Sequence, residues 1–230
     1  MLVRKPSHLA CAVLLLSALT AFGFPAKAAE AGTSEAISVD FETAAVGELP
    51  AGFSTAVTGG GGKAAWRIVE DASAPSGRNV LAQTSTDKTS FRFPLCVYDR
   101  LEATDVTVSV RFKPVSGTVD QAAGLVARYR DKDNYYIVRA NALESNVRLY
   151  KVEQGKRQQF AGVNVQVPAK EWQTLTLEVK GTHFRVFLND GLLFEADDAT
   201  FKDAGKVGLW TKADSVTYFD ELRVKTGEAR

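Results

Sequence analysis

The sequence predicts an all-β fold, a two-sheet antiparallel sandwich. Apolar and polar residues alternate over many short segments, as in Val106–Lys113, where Val106, Val108, Val110 and Phe112 share one side. Turn-forming residues separate these segments at regular spacing, which is typical of sandwiches. The 3.6-residue period of amphipathic helices is nearly absent. A closed barrel has the same periodicity, so it stays open as the structural alternative.

The predicted strands follow one another along the whole chain. The run Gly59–Gly62 predicts a flexible loop, and Gly155 predicts a hairpin turn. Asn189-Asp190-Gly191 predicts a further hairpin, because an Asp-Gly step suits a tight turn. The segments predicted as strands are Ile37–Glu42, Trp66–Glu70, Asn79–Thr84, Phe91–Cys96, Val106–Lys113, the two arms of Ala123–Asn141, Asn146–Glu153, Gln158–Val165, Gln173–Lys180, Phe184–Asn189, Leu192–Ala196, Lys206–Lys212 and Val216–Val224.

The first residues have the pattern of a secretory signal peptide. Arg4 and Lys5 form a basic start, and an apolar run ends before the small residues Ala26 and Ala28. We therefore expect cleavage after Ala28 and a periplasmic or secreted location. The apolar run is short for a bilayer span, so we expect no membrane span after signal removal. The predicted organisation is a signal peptide at 1–28, a disordered leader at 29–36, a single β-sandwich domain at 37–225 and a C-terminal tail at 226–230.

Charge and cysteine content exclude several classes of function. Removing residues 1–28 lowers the formal net charge from +1 to −2, since that segment carries three basic residues and no acidic one. A near-neutral chain has no bulk attraction to nucleic acid. Cys96 is then the single cysteine, so no intrachain disulfide can form, and its apolar strand predicts a buried, inert thiol. His183 is the single mature histidine, which excludes a multi-histidine zinc site.

The hairpin Ala123–Asn141 predicts one apolar and one polar face. Two alternating runs flank the turn Asp131–Asn134. Successive side chains of a strand point to opposite faces of its sheet. One alternation class holds Arg128, Arg130, Tyr135, Arg139 and Asn141, and the other holds Leu125, Ala127, Tyr136, Val138 and Ala140. The first class therefore predicts a face of guanidinium, amide and aromatic groups.

Two other strands repeat this polarity. Asn146–Val152 and Lys206–Lys212 each place aromatic and basic groups on one side. Aromatic rings stack on the apolar faces of sugar rings, and guanidinium groups bond hydroxyls or carboxylates. The predicted ligand-binding residues are Arg128, Tyr135, Arg139, Asn141, Arg148, Tyr150, Trp210 and Lys212. The alternative is a solvated outer sheet face with ordinary charges, and Trp210 taken alone fits the core between the sheets better.

The carboxylates of the sequence do not decide whether the domain is a catalyst. Glycoside hydrolysis uses two of them across the scissile bond. The single-strand pattern Glu-x-Asp-x-x-Glu has its closest match at Glu195–Thr200, which lacks the final Glu. The candidate catalytic acids are Asp131, Asp133 and Asp214, which are the acids expected nearest the polar face. The first two also fit turn residues that bond local backbone amides.

The two ends of the domain predict a structural Ca²⁺ site. Terminal strands of sandwiches often lie side by side, which would bring Asp40, Glu42 and Asp220 together. Ca²⁺ takes six to eight oxygen ligands, carboxylates among them. In the alternative, Phe41 and Phe219 pack inward and the acids are solvated. We expect no other cofactor to be required.

Three blocks of the sequence carry a family resemblance. They are Asp40-Phe41-Glu42 with Gly47-x-x-Pro50-x-Gly52-Phe53, the block Gly124–Tyr136, and Gly205–Thr211 through Phe219-Asp220. Together they resemble secreted bacterial domains of the concanavalin A-like lectin/glucanase superfamily. Within it the chain is similar to the 3-keto-disaccharide hydrolase-like domain, which is akin to laminin-G-type sandwiches. The resemblance covers nearly the whole mature chain.

The resemblance implies a jelly-roll sandwich whose concave sheet can hold carbohydrate. Such domains include glycosidases and non-catalytic binders, and the fold alone does not separate them. We expect a carbohydrate-recognising domain that uses a concave Arg/Tyr/Trp-lined sheet, and its positive groups favour an acidic or oxidised sugar. One alternative is a glycoside hydrolase or lyase acting on modified disaccharides such as 3-keto sugars. A second is an accessory or adhesion domain that binds protein.

Overall fold

The computed structural model describes residues 1–3 and 36–227. The predicted signal peptide, leader and tail lie almost wholly outside these residues. The described residues contain no helix that is long and apolar enough to cross a membrane. The described chain forms fifteen strands: β1 (Ala36–Val39), β2 (Phe53–Gly59), β3 (Trp66–Glu70), β4 (Asn79–Gln83), β5 (Arg92–Ala103), β6 (Val106–Ser116), β7 (Ala122–Asp131), β8 (Asn134–Asn141), β9 (Asn146–Glu153), β10 (Lys156–Asn164), β11 (Gln173–Lys180), β12 (His183–Leu188), β13 (Gly191–Asp197), β14 (Gly205–Trp210) and β15 (Val216–Thr226).

The strands form two antiparallel sheets. Sheet A has the order β13-β12-β11-β6-β15-β4-β3, and β1 pairs with the C-terminal half of β15. Sheet B has the order β10-β9-β8-β7-β14-β5-β2. Two separate sheets confirm the predicted sandwich and exclude the closed barrel. Neighbours in each sheet are often distant in sequence, as with β6 and β15, so the sandwich depends on long-range pairing.

The main core lies between the sheets and follows the predicted alternation. Val108 and Phe112 of β6 meet Leu125 of β7 and Val138 of β8 there, all fully buried. Cys96 of β5 belongs to the same core, and burial raises the pKa of its thiol. The prediction of a buried thiol is confirmed, and the raised pKa disfavours the thiolate, which is the nucleophilic form.

The outer face of sheet B is concave. Tyr135 on β8 and Thr58 on β2 lie four strands apart, which would be about 19 Å in a flat sheet. Their hydroxyl oxygens are nevertheless 2.7 Å apart. The Arg157 guanidinium of β10 likewise lies 4.5 Å from the ring of Phe93 on β5. Sheet B must therefore curl around its outer face, which is called the concave face below.

A second apolar cluster fills the concave face. Its members come from β5, β7, β8, β9 and β14, and they are Phe93, Leu95, Val97, Ala122, Val126, Tyr135, Ile137, Tyr150, Val152 and Trp210. Sheet B consequently buries apolar side chains on both faces. This explains why β5 and β8 contain nearly continuous apolar runs, since a strand buried on both sides has no polar alternation.

The strand β2 is not predicted by the sequence pattern. Phe53–Gly59 lies between two glycine-containing breaks, yet it pairs with β5 along its whole length. It is an edge strand, and Ser54 and Thr55 are both exposed, so neither clear alternation nor an apolar run marks it. Its position in the sheet comes from pairing with β5.

We predict that Gly124→Ala destabilises the fold. A Cβ at Gly124 would lie 2.4 Å from the Ile137 side chain and 2.8 Å from the Val138 carbonyl oxygen, so the neighbours must shift. Overpacking of this kind costs about 1–3 kcal/mol of unfolding free energy, measurable by urea denaturation. Gly191→Ala is the matched control, because its Cβ would meet nothing nearer than 3.4 Å. Equal stability of the two variants would contradict this packing.

Candidate functional site

A cross-strand row on the concave face brings distant residues together. Trp210 of β14 pairs with Gly124 of β7, which pairs with Arg139 of β8, which pairs with Arg148 of β9. Residues in register on adjacent strands point to the same face of a sheet. The expectation that the polar sides of the hairpin, β9 and β14 coincide is therefore met at Trp210, Arg139 and Arg148.

Aromatic rings and one guanidinium group form the centre of this face. Trp210 stacks on Phe93 with ring centroids 5.2 Å apart, and both are fully buried. The Arg157 guanidinium lies 4.5 Å from the Tyr150 ring centroid and 5.7 Å from that of Trp210. Cations over aromatic faces are attracted by the ring quadrupole. Trp210 is thus on the predicted face, but it lies beneath Arg157 and does not form an open platform.

Arg139 connects the aromatic centre to the solvent-facing rim. Its Nη2 donates to Glu144 Oε2 and to Asn146 Oδ1, both at 2.7 Å, and its guanidinium carbon lies 5.6 Å from the Tyr150 ring centroid. The Glu144 side chain is 45% exposed, so the site is accessible to solvent at Glu144. Burial acts to raise the pKa of Glu144, but the hydrogen bond from Asn146 and the charge of Arg139 bring it below its ordinary value.

Asp120 is a buried carboxylate beside Arg139 and Glu144. It accepts a hydrogen bond from Asn141 Nδ2 at 2.7 Å and pairs with Lys212 Nζ at 2.5 Å. Burial raises the pKa of Asp120 despite the Lys212 ammonium, and the charge of Glu144 raises it further. The site therefore holds two interacting carboxyl groups, of which Asp120 has a raised pKa and Glu144 a lowered pKa.

Two of the predicted ligand residues have local partners on the concave face. Tyr135 is fully buried, and its hydroxyl contacts Thr58. Arg148 lies toward the edge of the sheet, where its Nη2 donates to Asn164 Oδ1 at 2.5 Å. Of the predicted set, the structure groups Arg139, Asn141, Tyr150, Trp210 and Lys212 around one site.

The placement of Arg128 on this face was wrong. A register shift between Ala127 and Asp131 interrupts β7, and Arg128 has a positive φ of 49°. A bulge re-aims the side chains at its position, so simple alternation fails there. The guanidinium is 1% exposed and donates to the carbonyl oxygens of Thr104, Phe201 and Gly181 at 2.5–2.9 Å. Arg128 therefore ties three loops together at one end of the sandwich.

The candidate catalytic acids support local structure. Asp131 Oδ1 accepts from Asp133 N at 2.7 Å and from Asn134 Nδ2 at 3.0 Å, as expected for turn residues. Asp133 pairs with Lys132 in the same turn. Asp214 is 3% exposed, and its two oxygens accept four hydrogen bonds from residues 118–120. These contacts make Asp214 the anchor of the loop that carries Asp120.

The structure does not assemble the carboxylates of the predicted calcium site. Asp40 accepts from Glu42 N, and Glu42 Oε1 accepts from the amides of residues 78 and 79. Asp220 accepts from the amides of Ser76 and Glu221. Within residues 1–3 and 36–227, no group of three carboxylate, imidazole or thiol side chains could hold a metal ion. Each carboxylate instead receives backbone N–H groups from its own surroundings.

Sequence reasoning missed Asp120, Glu144 and Arg157. Asp120 and Glu144 lie in the loops before β7 and after β8, where an acidic residue resembles any solvated turn residue. Arg157 stands beside a hairpin turn on an edge strand, and its aromatic partners are up to 64 positions away in sequence. No local pattern marks such contacts, because curvature of the whole sheet creates them.

Comparisons with known proteins agree with this architecture. A family model described as the 3-keto-alpha-glucoside-1,2-lyase-like domain matches residues 52–225. The carbohydrate binding module CBM66 from Bacillus subtilis is 20% identical with a TM-score of 0.57, and the match covers 75% of this chain and 94% of the module. Domain 4 of the GH43 arabinanase AbnA from Geobacillus stearothermophilus, solved with arabinotriose, is 15% identical with a TM-score of 0.54, covering 87% and 96%.

A third solved structure shares the fold. The carbohydrate recognition domain of Emp47p is 16% identical with a TM-score of 0.54, covering 83% of this chain and 95% of that domain. No curated relative matches the chain. At these identities the structural matches establish the concanavalin A-like sandwich and nothing about ligands.

We predict that Asp220 makes stability depend on pH. Burial raises the pKa of this fully buried carboxyl from 3.8 to about 6, and the charges of Glu221 and Glu42 add to the shift. A raised folded-state pKa gives a stabilisation that is complete below the unfolded value and is lost as the pH rises through about 6. Relative to Asp220→Asn, the wild type should lose on the order of 2–3 kcal/mol between pH 4 and pH 7.

Chemical denaturation at several pH values measures this difference. Glu171→Gln, which alters an exposed carboxylate, serves as the control and should differ from wild type by a constant amount. A pH-independent difference between wild type and Asp220→Asn would contradict the assignment.

Proposed function

The chain belongs to the family of 3-keto-alpha-glucoside-1,2-lyase-like domains, and on this premise we propose that it recognises carbohydrate on the concave face of sheet B. One observation carries the proposal. The guanidinium groups of Arg139 and Arg157 both lie against the Tyr150 ring, and the Glu144 carboxylate that pairs with Arg139 is 45% exposed to solvent. Guanidinium and carboxylate groups held beside aromatic rings, with one carboxylate open to solvent, are polar groups of the kind that bind the hydroxyl groups of a sugar.

The polar groups around Tyr150 suit the hydroxyl groups of a sugar. Glu144 offers an acceptor and Lys212 offers a donor, and contacts with Asn146 and Asp120, respectively, hold these two groups in place. A site held rigid before binding loses less entropy when the ligand arrives. The names of the structural neighbours refer to carbohydrate binding or an arabinanase, which supports the same ligand class for this fold.

The location follows from the predicted signal peptide. A periplasmic or secreted domain would meet its sugar outside the cytoplasm, in agreement with the basic start and apolar run of residues 4–24. Cys96, the single cysteine left after cleavage, is buried and needs no partner in that compartment.

A second candidate function is cleavage of a glycosidic bond in an oxidised disaccharide, by elimination or hydrolysis. Both reactions need one group that accepts a proton and one that supplies a proton to the leaving oxygen. Burial raises the pKa of Asp120, which suits a group that supplies a proton. Burial also acts to raise the pKa of Glu144, but Asn146 and Arg139 bring it below its ordinary value, which suits a group that accepts a proton. Carboxyl groups whose environments separate their pKa values are typical of acid–base pairs.

We predict that Glu144→Gln weakens sugar binding without unfolding the domain. Screening the wild type on a glycan array identifies a bound sugar, and calorimetry then gives affinities. Loss of the charged acceptor should weaken binding about tenfold. Glu178→Gln is the matched control, because Glu178 also pairs with an arginine, Arg185 at 2.8 Å, but on sheet A. Absence of any bound glycan, or equal affinity of both variants, would refute the proposed site.

The enzymatic candidate makes a separate prediction at Asp120. Asp120→Asn removes the ionisable proton but retains the contact with Asn141. Turnover of a 3-keto-α-glucoside, followed by mass spectrometry of the products, should fall by at least about a hundredfold. Unchanged turnover in Asp120→Asn would exclude this acid, and absence of turnover in the wild type would leave recognition as the function.

A further inference from the structure

Arg157 is a cation of the concave face that forms no ion pair with a carboxylate of residues 1–3 or 36–227. Arg139 pairs with Glu144, and Lys212 pairs with Asp120. Arg157 Nη1 is shielded from solvent and has no hydrogen-bond partner among the described residues. Its close contacts are the rings of Phe93, Tyr150 and Trp210.

This arrangement is energetically unfavourable without a further partner. Burial lowers the pKa of Arg157, and the charge of Arg139 lowers it further. Three aromatic faces offset part of the lost hydration, but they supply no acceptor for the N–H groups. Buried charged groups are normally paired and hydrogen-bonded, because leaving one donor unmatched forfeits the hydrogen bonds it made to water.

A second unmatched donor lies beside the same ring. Arg139 Nε is also buried without a hydrogen-bond partner, although its Nη2 is bonded. Both guanidinium carbons lie within 5.6 Å of the Tyr150 ring centroid, at 5.6 Å for Arg139 and 4.5 Å for Arg157. Two like charges at one ring repel each other, and the attraction of each to a nearby anion would offset that repulsion.

We propose that the sugar bound on the concave face carries a carboxylate, as a hexuronic acid residue does, and that this carboxylate accepts hydrogen bonds from Arg157. The sugar ring would then lie toward Tyr150, with its hydroxyl groups near Glu144 and Asn146. The inference rests on the proposed carbohydrate recognition and specifies its ligand class. A planar carboxylate matches the planar fork of a guanidinium group, and a neutral hydroxyl group would leave the excess charge uncompensated.

Matched pairs of sugars test the charge requirement. Oligosaccharides of galacturonic and glucuronic acid are compared with the corresponding galactose and glucose oligosaccharides by isothermal titration calorimetry. The acidic member of at least one pair should bind roughly tenfold to a hundredfold more tightly, and the difference should shrink as salt is added. A sulfated galactose oligosaccharide is included, and tighter binding of the sulfate than of the carboxylate would overturn the carboxylate assignment.

Substitutions then locate the carboxylate. Arg157→Gln should abolish the preference for the acidic sugar, and Arg157→Lys should retain part of it, since the charge remains but the fork is lost. Arg148→Gln is the matched control, because Arg148 lies on the same face with Asn164 as its partner. Circular dichroism and thermal unfolding establish that each variant is folded, and Arg157→Lys serves alone if Arg157→Gln does not fold.

The outcomes separate this inference from the function on which it rests. A preference for the acidic sugar that is lost in Arg157→Gln and kept in Arg148→Gln supports it. Equal binding of acidic and neutral sugars, with no effect of Arg157→Gln, overturns the inference and leaves carbohydrate recognition standing. Binding of no saccharide of either kind overturns both.

Discussion

Burial of both faces of sheet B is the constraint on which the rest of the structure depends. One face packs against sheet A, and the other curls around a second apolar cluster. The contact between Tyr135 and Thr58 closes this curl across four strands. Because the middle of the concave face is filled by its own rings, polar groups gather near the β8–β9 turn, where Arg139, Asn146 and Glu144 meet. The candidate site is therefore a consequence of curvature.

The buried arginines show how one residue type serves different purposes. Arg92 and Arg128 are almost fully buried, and their guanidinium groups donate chiefly to backbone carbonyl oxygens of loops. Arg92 in this way anchors residues 62 and 63 of the glycine-rich loop that the sequence analysis described as flexible. Arg139 and Arg157 instead each keep one N–H group, Nε and Nη1 respectively, that has no acceptor in the part of the chain that the structure describes. Loop carbonyls satisfy the first pair, and a ligand would satisfy the second.

The carboxylates divide in a similar way. Asp131, Asp214 and Glu42 accept backbone N–H groups, which hold turns and loops in place. Asp120 and Glu144 interact with side chains of the concave face and with each other. Whether a carboxylate binds backbone N–H groups or side chains of the concave face depends on which loop folds against which strand. Acidic residues of similar local sequence therefore make different contacts. The proposed acid–base pair therefore comes from the two carboxylates that sequence reasoning did not select.

The sequence by itself determined the all-β class, most strand positions, the buried Cys96 and the shared polarity of Arg139, Tyr150 and Trp210. These features follow from the two-residue period of a strand, which is a local property. Tertiary structure decided the rest. It paired β2 with β5, turned Arg128 away through a bulge, and brought Arg157 over Tyr150. Strand order, bulges and sheet curvature arise from long-range pairing and packing, and alternation within one strand contains no information about them.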